Sequence, residues 1–142
     1  MTSAQSKRLL DFVFSLPEAY EDHPWGETVA KVNKKVFAFL GMPAPNLERM
    51  ALKLVESHPF VSSQSYAQPT GYRLGNSGWL DIDLSGTEPS LALAIEWVVE
   101  SYRTVAPKRL GSQVEPQATV TNAVRAPHRI RRNTRTPEGD QT

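Results

Sequence analysis

Apolar residues recur at helical spacing near both ends of the folded part of the chain. The first helix is predicted between Ser3, a residue type that caps helices, and Pro17, which ends them. Its apolar stripe is Leu9, Phe12 or Val13, and Leu16. The last helix is predicted from Thr87 as the cap to Pro107 as the stop. Its apolar stripe is Leu91, Ile95, Val98, Tyr102 and Val105.

Between the two helices the pattern changes to the alternation that is typical of β-strands. The predicted strands are Thr28–Val32, Lys35–Leu40, Glu48–Val55 and Gly78–Leu84. The first two flank Asn33-Lys34, a two-residue connection in which Asn tolerates a positive φ, so they should form a β-hairpin. Regular alternation places one set of hairpin residues on the core face: Ala30, Val32, Phe37 and Phe39. It places the others on the outer face: Val29, Lys31, Val36 and Ala38.

These elements predict an α+β fold. An antiparallel sheet of four or more strands is covered on one face by the two terminal helices. Residues 56–77 are predicted to be mostly loop, with one helical turn near His58, and a connection of this length is unusual unless it packs down or serves function. Beyond Leu110 the periodicity disappears, and Gln, Thr, Pro, Asn and Arg dominate. We therefore assign residues 1–110 to the folded domain and 111–142 to a disordered, Arg-rich tail.

Composition narrows the class of protein. The chain contains no cysteine, which excludes disulfides, thiolate metal sites and cysteine nucleophiles. No apolar run approaches the ~20 residues that a membrane span needs, so we expect a cytoplasmic protein without a membrane partner. Residues 107–142 carry seven Lys and Arg against three Asp and Glu, a net charge of +4. Residues 1–106 carry nine against twelve, a net charge of −3, so a mildly acidic domain precedes a basic tail.

A set of short motifs occurs in a fixed order along residues 5–108. They are Leu16-Pro17, His23-Pro24-Trp25-Gly26, Lys31-Val32 followed by Lys35-Val36-Phe37-Ala38, Gly78-Trp79 and Ser101-Tyr102. In this order they resemble the MmcQ/YjbR family. The resemblance implies a small bacterial cytosolic domain with a topology similar to frataxin, which is usually described as DNA-binding by analogy with a double-wing arrangement. It supplies no catalytic residues. Two departures are the small number of basic residues after Met42 and the Arg-rich tail outside the family domain.

The first hypothesis for function is that the protein binds double-stranded DNA weakly and without sequence preference. Lysines at the hairpin tip would contact phosphate, Trp79 would stack on a base, and Arg73 would make a closer contact. The candidate residues are Lys31, Lys34, Lys35, Lys53, Arg73, Trp79, Arg129, Arg131 and Arg132. The same lysines are also what a hairpin end needs to resist edge pairing, and Asp81 and Asp83 beside Trp79 favour cross-strand ion pairs instead. Binding would lie at about 10⁻⁴–10⁻⁶ M.

The second hypothesis is a protein- or small-ligand-binding module that uses the outer face of the sheet. The acidic domain and the mixed charges of that face favour it, and we expect a monomer or a weak dimer. Trp25 is predicted to lie in the core. Trp97 lies off the helical stripe and is predicted to be partly exposed, at a dimer contact or a groove.

The third hypothesis, an enzyme or metal protein, has little support in the sequence. The chain has no nucleophile elbow, no phosphate-cradling Gly-rich loop and no HExxH, and its histidines are scattered at positions 23, 58 and 128. The acidic loop from Glu18 to Glu27 has no ligand spacing of a defined metal loop. No catalytic residue, metal ligand or cofactor is predicted.

Overall fold

The computed structural model describes residues 1–43 and 45–115, which form an α+β domain as predicted. The helices are α1 (Ser3–Ser15), α2 (His58–Ser62), α3 (Leu91–Val105) and α4 (Lys108–Gly111). The strands are β1 (Tyr20–Asp22), β2 (Thr28–Val32), β3 (Lys35–Gly41), β4 (Arg49–Lys53), β5 (Ala67–Pro69) and β6 (Trp79–Asp83). All pairings are antiparallel, in the order β1-β2-β3-β4-β6-β5. The short edge strands β1 and β5 were not predicted, because three residues carry too little alternation.

Both long helices begin at side-chain caps that differ from the predicted ones. Thr2, not Ser3, caps α1 in a reciprocal capping box with Gln5. Ser90, not Thr87, caps α3 and accepts a hydrogen bond from the Leu93 N–H. Pro89 explains the later start of α3, because the residue before a proline is disfavoured in the helical region.

The core lies between the inner face of the sheet and the helices α1 and α3. The rings of Phe37 and Tyr102 meet edge to face at 5.3 Å, and both side chains are fully buried, as predicted. The prediction that Trp97 is partly exposed is wrong, since its exposure is 0%. The reason is that the loop before β5 covers α3 from the side and brings Tyr66 within 6.3 Å of the Trp97 ring.

The β2–β3 hairpin turns at Asn33 and Lys34, where φ values of 51° and 67° fit the predicted two-residue connection. Its register then shifts: Ala30 pairs with Ala38, whereas Lys31 pairs with Val36. Phe37 is therefore an extra residue in β3, a β-bulge. The bulge places Ala38 on the core face and Phe39 on the outer face, which reverses the predicted positions of these two side chains.

The residues that follow α4 lie beside α3. The Arg103 guanidinium donates to the carbonyl oxygens of Gly111, at 2.6 Å, and Val114. Residues 111–115, which we assigned to the tail, thus pack against the domain, and residues 116–142 lie outside the described residues. Within the described part of the chain, no helix combines the length and the apolar character that a membrane span requires.

Candidate functional site

The outer face of the sheet carries a cleft whose floor is a row of three residues on adjacent strands. Phe39 of β3 pairs with Ala51 of β4, and Ala51 pairs with Asp81 of β6. Because the middle residue contributes only a methyl group, the floor is depressed between an aromatic ring and a carboxylate. The row exists because the β3 bulge turns Phe39 outward.

The depression continues toward the end of the sheet where β2 begins. Gly41, two residues after Phe39, has no side chain, and its φ of 64° favours glycine. Arg49, two residues before Ala51, lies beside it: a Cβ built on Gly41 would come 3.8 Å from Arg49 Nε. A small residue in β3 therefore leaves room for the arginine at the end of the cleft.

The loop from Thr70 to Leu74 forms one wall of the cleft. The Thr70 N–H donates to the Trp79 carbonyl oxygen at 3.1 Å, and the Thr70 hydroxyl donates to Asp81 Oδ1 at 2.8 Å. The loop closes with a bond of 3.0 Å from the Gly75 N–H to the Thr70 carbonyl oxygen. Glycine is required there, because a Cβ on residue 75 would lie 2.8 Å from Pro69 Cβ. The wall is thus tied to the floor by backbone and side-chain bonds.

The cleft has a volume of about 190 Å³, and Glu27, from the connection between β1 and β2, completes its lining. Three charged side chains face this space: Glu27, Arg49 and Asp81. Within residues 1–43 and 45–115, Arg49 and Glu27 have neither an ion pair nor a side-chain hydrogen bond. The cleft therefore combines two apolar floor residues, Phe39 and Ala51, with the charges of Arg49 and Glu27. The third floor residue is Asp81, one carboxylate oxygen of which accepts a hydrogen bond from Thr70.

Two exposed aromatic side chains lie on the loops that border the cleft. One loop is the connection that supplies Glu27, and the other is the wall formed by Thr70 to Leu74. Trp25, two residues before Glu27, is 99% exposed, and Tyr72, in the wall, is 100% exposed. Both have a φ of 55°, in the left-handed region that bulky residues rarely adopt. The prediction that Trp25 lies in the core is wrong, because the turn at Pro24–Gly26 has positive φ at Trp25 and Gly26 and presents the indole to solvent.

Trp79 lies on the outer face of the sheet, but it is only 7% exposed. Its ring meets Phe39 edge to face at 5.1 Å, and Thr70 bonds to its carbonyl oxygen. Stacking of a base on Trp79 stays a prediction, and it would require the neighbouring side chains to move. The ring instead supports Phe39 at the cleft floor.

The predicted DNA-contacting residues occupy separate places. Lys34 and Lys35 are exposed at the hairpin tip, Lys53 is half-buried on the outer face opposite Trp79, and Arg73 is exposed beside Tyr72. Within the described residues, no hydrogen bond or ion pair joins these positions to one another. Arg129, Arg131 and Arg132 lie outside the described residues.

Lys31 is engaged in an ion pair with Asp22 of β1. Its Nζ lies 2.7 Å from Asp22 Oδ2. The hydrogen bond from Lys31, with help from the His23 N–H, holds the pKa of Asp22 below its usual value of 3.8, and the same bond raises the pKa of Lys31 above 10.5. Since the charge of Lys31 is already compensated, the hairpin offers two uncompensated lysines to an anionic partner rather than three.

The acidic loop that precedes β2 holds one close pair, with His23 Nε2 at 2.7 Å from Glu21 Oε2. In residues 1–43 and 45–115, no group of three or more His, Asp and Glu side chains is arranged to hold a metal ion.

Residues 14–104, which are more than half of the chain, match the family model named YjbR. The chain belongs to the YjbR family. The YjbR domain is also similar to the crystal structure of the Deinococcus radiodurans protein DR2400, a DUF419 domain, with a TM-score of 0.63 and 24% identity over 83% of this chain and 98% of that one. That likeness establishes the fold alone. No curated protein matches the chain.

The cleft residues of this YjbR domain were mostly missed by sequence reasoning. Asp81 was considered only for cross-strand ion pairs, Arg49, Ala51 and Glu27 were given no role, and Phe39 was assigned to the core. A β-bulge has no sequence signal as clear as that of a turn. The sequence therefore did not indicate that Ala38 faces the core and Phe39 the outer side of the sheet. The unusually long connection 56–77 was the usable indication, because it supplies the wall of the cleft.

Proposed function

We propose that this YjbR domain is a non-enzymatic binding module and that its ligand site is the cleft on the outer face of the sheet. The observation that carries the proposal is the pairing of an apolar floor, Phe39 and Ala51, with the uncompensated charges of Arg49 and Glu27. Ligand sites are typically concave and apolar with a few convergent polar groups that fix orientation. Arg49 is exposed and Glu27 is half-buried, so both charges are accessible to a ligand.

The conformation of the flanking loops supports the same assignment. A left-handed φ at a bulky residue costs about 1–2 kcal/mol, and such strain clusters at functional sites. Trp25 and Tyr72 both carry it, and neither gains burial in return. Exposed, strained aromatics on loops beside a cleft are well placed to contact a bound partner.

The test is a fragment screen by ¹H–¹⁵N NMR on the full chain. Compounds that bind should shift the amide signals of Phe39, Ala51 and Asp81. Ala51→Leu fills the depression and should remove these shifts, because a larger side chain occupies the floor. Ala92→Leu is the matched control: residue 92 is exposed on α3, so the same added volume should change nothing. The proposal fails if no compound shifts the cleft signals, or if binding survives in Ala51→Leu.

Weak, sequence-independent binding of double-stranded DNA is the second candidate function. The observation that favours it is the exposure of Lys34 and Lys35 at the hairpin tip, without ion pairs among the described residues. Two or three phosphate contacts give an affinity that falls with salt. The acidic balance of residues 1–115, with eleven Lys and Arg against thirteen Asp and Glu, acts against tight binding.

Fluorescence anisotropy of a labelled duplex across a salt series tests this second function. Lys34→Glu with Lys35→Glu should weaken binding equally on every sequence. Arg8→Glu with Lys108→Glu, at exposed positions on α1 and α4, is the control with the same change in net charge. Replacing Arg129, Arg131 and Arg132 by Gln measures the contribution of the tail. Equal affinity of the hairpin variant and the wild type would exclude the hairpin as a DNA-contacting wing.

A further inference from the structure

The volume of the cleft favours a small ligand. Pockets for drug-sized ligands enclose roughly 300–1,000 Å³. The cleft offers about 190 Å³ and is partly open to solvent, so a compact molecule fits it better than a drug-sized one.

Two cleft charges of opposite sign, Arg49 and Asp81, lie close to each other on neighbouring strands. In the β4–β6 register Arg49 is opposite Asp83 and Ala51 is opposite Asp81, so Arg49 and Asp81 are diagonal neighbours. Diagonal neighbours on one face have Cα atoms about 7–8 Å apart. A ligand between them can accept hydrogen bonds from the guanidinium and donate to the carboxylate, provided that its own two charges are only a few ångströms apart.

The carboxylate side has the capacity to receive an ammonium group. Thr70 already donates to Oδ1 of Asp81, which fixes the carboxylate and leaves Oδ2 as an acceptor. Glu27 also lines the cleft, but it precedes β2, and the strands β3 and β4 separate β2 from β6. The ammonium group of a ligand would therefore donate to Asp81 Oδ2.

The remaining surface is apolar. Phe39 and Ala51 form the floor, and Leu74 and Tyr72 line the wall. A hydrocarbon or aromatic side chain of the ligand would be removed from water there, at roughly 25 cal/mol per Å² of buried apolar surface.

We infer that the cleft binds a free α-amino acid with an apolar side chain: its carboxylate lies on Arg49, its ammonium group on Asp81, and its side chain on Phe39 and Ala51. This inference rests on the proposed function of the cleft. A phosphate ester is disfavoured because two carboxylates face it, and a basic peptide is disfavoured because Arg49 repels it. A free amino acid uses both Arg49 and Asp81, since its own charges are on adjacent carbons.

The test titrates the full chain with L-leucine and L-phenylalanine and follows the cleft amide signals by NMR. The amino-acid amides lack the carboxylate, and the N-acetyl amino acids lack the ammonium group. We expect each of these derivatives to bind at least tenfold more weakly than the free amino acid. Gly-Leu and Leu-Gly, which separate the two charges by a peptide unit, should also bind more weakly.

Charge-removing variants assign each end of the ligand. Arg49→Gln should remove the preference for the free amino acid over its amide and keep the preference over the N-acetyl form. Asp81→Asn should do the reverse, with its hydrogen bond from Thr70 retained. Arg8→Gln, an exposed arginine on α1, is the control and should change neither preference.

The outcomes separate this inference from the proposed function. Equal binding of the amino acids, their amides and their N-acetyl forms overturns the inferred ligand class, and so does tighter binding of the dipeptides. If other fragments shift the cleft signals in an Ala51→Leu-sensitive way and the amino acids do not, the inference is wrong while the cleft remains a binding site. If nothing binds there, both are wrong.

Discussion

The Ser101 hydroxyl of α3 donates a hydrogen bond of 2.6 Å to the carbonyl oxygen of Phe37, the extra residue of the β3 bulge. The same hydroxyl accepts a bond of 2.9 Å from the N–H of Lys53 in β4. Ala38 pairs with Leu52, so Phe37 and Lys53 are the next positions along the two strands. A side chain from a helix thus satisfies two backbone groups where the bulge interrupts the ladder, and this bulge is what turns Phe39 toward the cleft.

Ser101→Ala should destabilise the fold markedly. The substitution leaves a buried carbonyl oxygen and a partly buried N–H without partners, and each unsatisfied group costs about 1–3 kcal/mol. We expect a loss of roughly 2–4 kcal/mol in the free energy of unfolding, measured by urea denaturation.

Thr104→Ala is the matched control for Ser101→Ala. It removes an exposed hydroxyl three residues further along α3, whose bond of 2.8 Å goes to a carbonyl oxygen of the same helix. Its effect should stay within about 0.5 kcal/mol. A loss of similar size in both variants would contradict the bridging role of Ser101.

The three tryptophans should differ sharply in their access to a quencher. Trp25 is 99% exposed, Trp79 is 7% exposed and Trp97 is 0% exposed. Acrylamide should therefore quench Trp25 readily and the other two weakly. In Trp25→Phe the readily quenched component should disappear in the native protein, and the remaining emission should become quenchable only in denaturant. Persistence of that component would contradict the exposed position of Trp25.

Trp25→Asn and Tyr72→Asn should separate stability from binding. Asn tolerates the left-handed φ of 55° that both positions have, so relief of strain should leave stability unchanged or raise it by up to about 1 kcal/mol. Ligand binding in the cleft should weaken at the same time in Tyr72→Asn, because Tyr72 lines the cleft. Thermal unfolding measures the first effect, and the NMR titration measures the second. A loss of more than about 1 kcal/mol would mean that these aromatics serve packing instead.

The fold class, the two long helices and the central hairpin were predictable because their patterns are local. Asn33 indicated the turn, and the apolar spacing around Tyr102 indicated the burial of α3. The cleft was not predictable, because it depends on a long-range relation: the hydroxyl of Ser101 supports a bulge in another element, and that bulge decides which way Phe39 points. Trp25 was misassigned for a related reason, since large aromatics are normally buried and left-handed backbone at a tryptophan leaves no mark in the composition.

Asp22 and Lys31 lead to a prediction about pH. The pKa of the Asp22 carboxyl lies below 3.8 when the domain is folded, chiefly because Lys31 donates to it. A carboxyl whose folded pKa is lowered contributes stability above its ordinary value and loses that contribution as the pH falls through the folded pKa. The pKa of Lys31 is raised above 10.5, so its contribution is lost only as the pH rises past that raised value. The pair is therefore fully charged across the neutral range.

Lys31→Met removes the main donor to Asp22 and should move the pKa of this carboxyl upward toward 3.8, with the His23 N–H still opposing the full return. Carbon-detected NMR titration of the Asp22 carboxyl measures the change directly. The difference in stability between wild type and variant should be constant near neutral pH and should shrink as the pH falls below 3.8, because protonated Asp22 no longer pairs with Lys31. Lys7→Met, which breaks the exposed pair of Lys7 with Asp11 at 3.0 Å, is the matched control and should leave the pKa of Asp22 unchanged. An unchanged pKa of Asp22 in Lys31→Met would show that Lys31 is free in solution, and the hairpin would then offer a third lysine to an anionic partner.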